Sequence, residues 1–468
     1  MPKARLNKGD VVDGFTLVDR VHSGGMAALW EVTHPKHDVP MLMKVPRLHE
    51  GEDPAAIVGF EMEQMILPRL SGPHVPRVIA SAGFERQPYL VMERIPGESL
   101  LPKLRKLPLP IDDVAMIGAQ VAIAIDALHR QHVIHLDLKP SNILTRPTGE
   151  TVLVDFGLSH HEQLPDLMEE EFRLPYGTAP YMAPEQTMGI RTEARSDLFA
   201  IGVLMYFFAT GERPFGDPQR LKDLRRRIWR GPTPPRAIRK DCPPWLQEVI
   251  LRCLEVDPDR RYPTAAQLAF DLTHRDGIAL TQRAEKLRRD RWTEVFRRRF
   301  NPEAQPRFRR KAAEGIAAAP IVAIAVDLSN SDAELTRALH QAVKRILLTL
   351  PDTRVVCLNV LRLNRIAPDA TLDADGHNKH AQRLAELRHW AAPLGLPEDR
   401  LTTTVLEAVS PASALLEYIE VNPVEHVLMG ARANSAIRSL LGSVAGEVAA
   451  QAPCTVTVVR ARGRGAEV

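Results

Sequence analysis

The sequence has few cysteines, no long apolar run and little net charge. Its four cysteines are spread over 468 residues without metal-ligand spacing, so we interpret them as small buried hydrophobic residues in a reducing compartment rather than as redox or metal groups. A net charge of +3 predicts no affinity of the whole chain for nucleic acid. The cysteines are Cys242, Cys253, Cys357 and Cys454.

The two strongest apolar runs, at 200–209 and 316–326, are shorter than the ~20 residues that a membrane helix needs. The opening stretch MPKARLNKGD lacks the apolar centre of a signal peptide. These absences predict a soluble, cytoplasmic protein without a membrane span. A hydrophobic content of 44% and a charged content of 25% are typical of globular proteins, and the length favours two or three domains.

The hydrophobic pattern changes its period along the first part of the chain. Between residues 14 and 94 it predicts strands around a single helix, and from residue 111 onward its period is mostly helical. The sequence therefore predicts a small sheet-rich lobe at about 8–95 and a larger helical lobe at about 96–276. Together they form a predicted first domain at 1–276.

Positive charge is concentrated at 277–315, which we predict to be a basic linker. Residues 283–311 carry twelve basic and four acidic side chains, a local balance of +8. A solvated linker and a docking segment for an acidic surface, a membrane or nucleic acid both agree with this charge. Near-helical spacing of its aromatic residues favours packing of part of the segment on a domain. These aromatic residues are Trp292, Phe296, Phe300 and Phe308.

From residue 316 onward, short apolar segments alternate with helical patterns. Five apolar strands separated by helices predict a doubly wound parallel sheet, so residues 316–468 are expected to form a second domain. The chain is therefore predicted to be multidomain, with an α+β part followed by an α/β part. The predicted strands lie at 321–328, 354–362, 401–409, 426–429 and 455–459.

A dense group of polar side chains lies in the middle of the first domain. His135-Leu136-Asp137-Leu138-Lys139-Pro140-Ser141-Asn142 places a carboxylate, an ammonium and a carboxamide on one loop, and Asp155-Phe156-Gly157 follows with a second carboxylate. Such groups can hold Mg-ATP against a hydroxyl nucleophile. With Ala183-Pro184-Glu185 further along, the order and spacing resemble the protein kinase family. The resemblance implies a bilobal protein kinase fold, with ATP and Mg²⁺ as cofactors.

The resemblance assigns a role to each of these charged groups. Asp137 would orient the substrate hydroxyl for attack. Lys139 would stabilise the transferring phosphoryl group, and its position two residues after Asp137 is similar to that in serine/threonine kinases. Asn142 and Asp155 would supply oxygen ligands to magnesium.

Further residues match positions that bind the nucleotide in the family. Lys44 would neutralise the α- and β-phosphates, with Glu63 as its partner on the predicted helix and Glu61 as the alternative. The resemblance also places backbone groups of residues 92–95 near adenine and apolar side chains around its ring. The nucleotide-binding residues implied in this domain are Val21, His22, Ser23, Gly24, Gly25, Met26, Leu29, Lys44, Glu93, Ile95 and Leu144.

Two buried charged groups are implied as structural supports of the first domain. The resemblance pairs Glu185 with Arg261 and places Asp197 behind the catalytic loop. Buried charges persist only when they are paired, so neither group is expected to take part in the chemistry.

Several positions depart from the family's pattern. His22 and Ala27 replace two glycines of the phosphate-covering loop, and His22 is either a surface residue or a titratable ring near the nucleotide. Leu136 replaces the arginine that binds an activation-loop phosphate in the family. The activation loop, residues 158–182, is poor in hydroxyl groups and carries Glu169-Glu170-Glu171. We therefore predict a kinase that does not need phosphorylation of this loop, with Thr178 as a hydrogen-bonding element.

The second domain contains Met429-Gly430-Ala431-Arg432-Ala433-Asn434, followed by Gly442-Ser443-Val444. Glycines permit close approach of a phosphate, and the helix after Gly442 would point its amino terminus at the anion. With Asp327 at the end of the first strand, this pattern resembles the universal stress protein family. The resemblance implies a second ATP, and a homodimer through this domain; a purely structural or dimerising domain is the alternative. The residues implied are Asp327, Gly430, Arg432, Gly442 and Ser443.

The complete pattern predicts a serine/threonine protein kinase that acts on protein substrates, with a C-terminal domain that regulates it or senses nucleotide. A nucleotide-binding pseudokinase scaffold is the alternative, favoured by His22, Ala27 and Leu136 and opposed by the complete set of charged groups. Phosphorylation of a small molecule is opposed by Ala183-Pro184-Glu185, which serves protein-substrate docking in the family.

Overall fold

The computed structural model describes residues 6–23, 27–47, 54–172, 175–300, 308, 319–329, 332–350, 353–363, 378–397, 400–422, 424–431 and 443–460. These residues form a small lobe around an antiparallel sheet, a helical large lobe and a C-terminal domain around a parallel sheet. The predicted fold class is therefore confirmed. Among the residues just given, no helix has the length and apolar character needed to cross a membrane.

The small lobe is a six-stranded antiparallel sheet with one helix, α1 (Pro54–Ile66), and strand order β1-β2-β3-β4-β6-β5. Alternation along β4 buries Met41 and Met43 on one face of the sheet and turns Lys44 to the other. The strands are β1 (Val11–Val12), β2 (Phe15–Ser23), β3 (Ala27–His34), β4 (His37–Pro46), β5 (Val78–Ala82) and β6 (Tyr89–Glu93).

The large lobe is built around long apolar helices, and its strands are short. Helix α2 is buried along most of its length against α4 and α8. Gly211 follows the end of α4, and its φ of 77° lies in the left-handed region. The strands are β7 (Glu98–Ser99), β8 (Val133–Ile134), β9 (Ile143–Thr145), β10 (Thr151–Leu153) and β11 (His160–His161). The helices are α2 (Ile111–His129), α3 (Leu167–Glu171), α4 (Arg195–Thr210), α5 (Leu221–Leu224), α6 (Pro235–Ile238), α7 (Pro244–Cys253), α8 (Ala265–Thr273), α9 (Gln282–Glu285) and α10 (Trp292–Phe300).

Part of the predicted basic linker is folded onto the large lobe. Arg283 on α9 pairs with Glu248 and Glu255, at 2.9 Å in both cases. The expectation that the aromatic residues of this segment pack on a domain is wrong for three of them: Trp292, Phe296 and Phe300 are 77%, 57% and 59% exposed. Helix α10 is held instead by its basic side chains, because Arg298 pairs with Asp290 at 2.7 Å and Arg299 lies over Trp229.

The C-terminal domain is a doubly wound parallel sheet with strand order β14-β13-β12-β15-β16. Helices α11 and α12 cover one face and α13 and α14 the other, so the first strand is apolar throughout. Asp332 caps α11 by accepting hydrogen bonds from two backbone N–H groups. The elements are β12 (Ile321–Ala325), α11 (Ala333–Thr349), β13 (Arg354–Arg362), α12 (Lys379–Ala391), β14 (Leu401–Ala408), α13 (Pro411–Val421), β15 (Val424–Gly430), α14 (Ser443–Gln451) and β16 (Thr455–Val459).

Candidate active site

Strand β4 and helix α1 bring charged side chains together between the two lobes. Lys44 Nζ donates to a carboxylate oxygen of Glu63 and lies 2.7 Å from Asp155 Oδ1. Burial disfavours the charged amine, but Asp155 and Glu63 outweigh it and raise the pKa of Lys44 above its ordinary value. Lys44 in turn lowers the pKa of Asp155 to about 2. The cleft therefore holds a charged ammonium beside an ionised carboxylate, a combination that suits phosphate and metal binding.

Only one of the two carboxylates considered for Lys44 faces it. Glu63 points into the cleft, whereas Glu61 pairs with Arg388 of the C-terminal domain. Residues two apart on a helix point to different sides, so the two carboxylates cannot serve the same partner.

The loop between β8 and β9 holds the Asp137 carboxylate with several donors. Oδ2 lies 2.6 Å from Lys139 Nζ and accepts a hydrogen bond from Asn142 Nδ2 at 3.2 Å. Oδ1 accepts from the backbone N–H and the hydroxyl of Thr178, at 2.9 and 2.7 Å. Asp137 is thus a fixed acceptor that already receives one hydroxyl group, which is the interaction a hydroxyl nucleophile requires.

The backbone of this loop is held from behind by Asp197. Its two carboxylate oxygens accept from the N–H groups of His135 and Leu136, both at 2.9 Å, and His129 Nε2 lies 2.9 Å away. Leu136 has a φ of 62°, a conformation that costs a non-glycine residue about 1–3 kcal/mol. Its carbonyl accepts from Gln186 Nε2 at 2.8 Å, so both backbone groups of the strained residue are fixed.

Asp155 lies beside Asn142 because Val154 N donates to the Asn142 carbonyl at 3.0 Å. The Asn142 amide nitrogen donates to Asp137, and its amide oxygen accepts from the Ser141 hydroxyl at 3.0 Å, which leaves the second lone pair of that oxygen for a ligand. That oxygen and the Asp155 carboxylate are the hard donors that Mg²⁺ prefers, so the residues fit this ion. Among the residues with described positions, no three or more His, Cys, Asp or Glu side chains form a metal cluster.

Two buried arginines fix the chain segment before and at Glu185. Arg261 forms paired hydrogen bonds with Glu185, at 2.6 and 2.8 Å, and the two side chains are 0% and 1% exposed. Arg227 donates to the carbonyls of Met182 and Ala179, the latter at 2.8 Å. Burial lowers the pKa of Arg227 to about 10. Sequence reasoning missed Arg227, because nothing distinguishes it from the arginines that precede it.

The predicted nucleotide-binding residues come from five strands and from the chain after β6. In the sheet, His22 pairs with Leu29. Predicted residues Gly24, Gly25 and Met26 lie outside the described residues, as does the side chain of Ser23. The others are Val21 and His22 on β2, Leu29 on β3, Lys44 on β4, Glu93 at the end of β6, Ile95 just beyond it, and Leu144 on β9.

In the C-terminal domain, Asp327 and Gly430 lie at the same edge of the sheet. Asp327 follows β12 and Gly430 ends β15, and these two strands are parallel neighbours. Asp327 Oδ1 accepts from the backbone N–H of Ser329 at 3.1 Å. Ser443 begins helix α14 and is exposed, whereas Arg432 and Gly442 lie outside the described residues.

Sequence reasoning did not find the contacts between the two domains. Arg388 on α12 pairs with Glu61 on α1, and Arg354 on β13 pairs with Glu170 on α3. Glu170 also accepts from the Tyr418 hydroxyl at 3.0 Å. The ion-pair partners are 327 and 184 residues apart, so no local pattern connects them.

Known proteins match the two parts of the chain separately. Residues 15–271 match the family model described as Protein kinase domain, and residues 320–460 match the Universal stress protein family. A probable serine/threonine-protein kinase of Clostridium perfringens is 29% identical over 259 residues, which cover 55% of this chain and 38% of that protein. Serine/threonine-protein kinase Pkn1 of Myxococcus xanthus is 32% identical over 258 residues, 54% of this chain and 37% of that protein.

The chain therefore spans less than half the length of these curated relatives. Among solved structures, the kinase domain of PknI from Mycobacterium tuberculosis is 22% identical, with a TM-score of 0.45. The match covers 58% of this chain and 99% of that one.

Proposed function

Because the chain belongs to the protein kinase family, we propose that it transfers the γ-phosphoryl group of ATP to serine and threonine hydroxyls of protein substrates. The observation that carries the proposal is the Asp137 carboxylate, which lies 2.6 Å from Lys139 and accepts a hydroxyl at 2.7 Å. A substrate hydroxyl bound as the Thr178 hydroxyl is bound would be oriented for in-line attack. Lys139 would meet the negative charge on the transferring group.

Other side chains support the same reaction from the opposite side of the cleft. Lys44 would bind the α- and β-phosphates while Glu63 holds its ammonium in place. Asn142 and Asp155 would hold Mg²⁺, which neutralises phosphate charge when bound. These groups already have partners inside the protein, because Lys44 pairs with Glu63 and Asp155, and Asn142 donates to Asp137.

The amino acid that receives the phosphate tests this proposal. The purified protein is incubated with labelled ATP, magnesium and a generic basic protein, and the labelled product is hydrolysed to its phosphoamino acids. We expect phosphoserine and phosphothreonine. Phosphotyrosine as the main product, or label in a small molecule alone, would rule out a serine/threonine protein kinase.

We propose further that the enzyme does not need phosphorylation of its activation loop. The position of the usual phosphate-binding arginine is Leu136, an apolar side chain that is 5% exposed. The Thr178 hydroxyl is bonded to Asp137, so a phosphate there would place a dianion against the catalytic carboxylate.

Substitutions at Thr178 test this proposal. Thr178→Glu should abolish transfer, Thr178→Val should lower kcat about tenfold by removing one hydrogen bond, and Thr178→Ser should keep most activity. Steady-state kinetics of protein shown by mass spectrometry to carry no phosphate checks all three variants. Activity that depends wholly on phosphate at Thr178, or that rises in Thr178→Glu, would disprove the proposal.

We propose that the C-terminal domain binds a second ATP at the edge formed by Asp327, Gly430 and Ser443. The parallel strands β12 and β15 support this, because they end beside each other. Equilibrium dialysis should give two nucleotides per chain for the intact protein and one for Asp327→Ala, with Asp332→Ala as a control on the same loop. One nucleotide per chain in all three proteins would mean that the C-terminal domain does not bind ATP and has a structural role.

The homodimer stays a prediction, for which sedimentation velocity is the measurement.

A further inference from the structure

The C-terminal domain touches the outer side of helix α1, opposite the side that serves the cleft. The Arg388 guanidinium pairs with Glu61, whose side chain is 5% exposed, and lies 3.7 Å from Glu85. It also lies over the Phe84 ring, with 5.4 Å between the guanidinium carbon and the ring centroid. One side chain of the C-terminal domain thus contacts both α1 and the loop between β5 and β6.

The same domain binds the activation loop through helix α3. Arg354 pairs with Glu170, and the side chains are 2% and 9% exposed. The Tyr418 hydroxyl donates to the second oxygen of Glu170. A buried ion pair is costly to break because each charge is left without water or partner. The activation loop is therefore fastened to the C-terminal domain through α3, in addition to the bond between Thr178 and Asp137 of the catalytic loop.

Each of these contacts lies on an element that also contacts a catalytic group. Glu61 and Glu63 lie two residues apart on α1, so the helix is held by Arg388 on one side and by Lys44 on the other. Helix α3 packs on α1, and the same activation loop continues to Thr178, which bonds to Asp137. Displacing either arginine would release an element that carries a catalytic contact.

The arginine that binds an anion of the activation loop in the family is missing from the catalytic loop, and an arginine of the second domain binds such an anion instead. The activation loop already carries the Glu170 carboxylate, while the catalytic loop has Leu136 where an arginine would receive a loop anion. Arg354 is an arginine that does receive an anion of this loop, but it comes from the second domain.

We propose that the C-terminal domain activates the kinase domain through Arg354, which supplies the arginine contact that the catalytic loop lacks, and through Arg388, which holds α1. Arg354 fixes the activation loop through Glu170, and Arg388 fixes α1 so that Glu63 meets Lys44. Both are positioning residues, since neither touches the cleft. The inference rests on the proposed phosphoryl transfer. A signal that loosens the C-terminal domain would lower kinase activity.

Full-length Arg354→Met and Arg388→Met test the inference by steady-state kinetics. We expect kcat to fall about tenfold in each, with the Kd for ATP changed less than about threefold. Arg383→Met is the matched control, because Arg383 lies on the same helix as Arg388 and, in the described part of the chain, pairs with Glu386 of that helix. It should behave as the intact protein. If Arg354→Met fails to fold, Arg354→Lys keeps the charge, and its kcat should lie between those of the intact protein and Arg388→Met.

A double-mutant comparison separates positioning from general stability. If Arg388 acts through Glu63, Arg388→Met should add less than about twofold to the loss of kcat already caused by Glu63→Gln. Independent, multiplying losses would overturn the role of Arg388, and kcat values like those of Arg383→Met, or above the intact protein, would overturn the activating contact. Failure of the intact protein to transfer phosphate would instead reject the proposed function, and this inference with it.

Discussion

Replacing Asp137 with asparagine should lower kcat for phosphoryl transfer by about 10³-fold. Asparagine keeps the size of the side chain but has only one oxygen and no negative charge. The substrate hydroxyl and Lys139 therefore both lose the carboxylate to which they bind. The Kd for ATP should change little, because the nucleotide's predicted contacts lie at Lys44 and Asp155. Kinetics with a generic basic protein, together with ATP titration of the same preparation, measure both quantities.

The control for this substitution is Asp241→Asn, which removes an exposed carboxylate that pairs with Arg239 far from the cleft. It should leave kcat unchanged. A rate for Asp137→Asn within a few-fold of the intact protein would mean that Asp137 does not orient the nucleophile.

Arg261→Met should lower the free energy of unfolding of the large lobe by about 3–5 kcal/mol. Methionine fills much of the space but leaves the Glu185 carboxylate buried without its two guanidinium hydrogen bonds. Among the residues that the structure describes, the Ser196 hydroxyl is then its remaining side-chain donor. Urea unfolding followed by circular dichroism measures the loss. Because Glu185 ends the segment beside the catalytic loop, activity should be lost at lower urea concentrations as well.

Arg275→Met removes an arginine from an ion pair whose partners are 56% and 84% exposed, and it serves as the control. Its effect should stay below about 1 kcal/mol, because water screens the exposed pair. Equal losses for the two variants would show that burial does not set the strength of the Glu185 contact.

The sheets could be predicted because their apolar patterns are local. Residues 321–325 form a continuous apolar run in a parallel strand that is covered on both faces, and alternation along β4 turns Lys44 away from the buried methionines. The catalytic loop could be predicted because its charged residues are close in sequence. Such patterns need no knowledge of what lies across the molecule.

Contacts between distant segments could not be predicted in this way. The sequence alone leaves Glu61 as an alternative partner of Lys44, because the choice depends on the orientation of α1 and on the position of Arg388. Helical spacing of Trp292, Phe296 and Phe300 predicts a common face but not whether a domain covers it, and here it is exposed. In both cases the deciding partner lies in another part of the chain.

The most direct measurement is the initial rate of phosphoryl transfer from ATP to a basic protein by the full-length chain after phosphate has been removed from it. ATP affinity is determined on the same sample. We predict ATP binding and transfer from the first time point, with phosphate on serine and threonine. ATP binding without any transfer would contradict this and identify the protein as a nucleotide-binding scaffold.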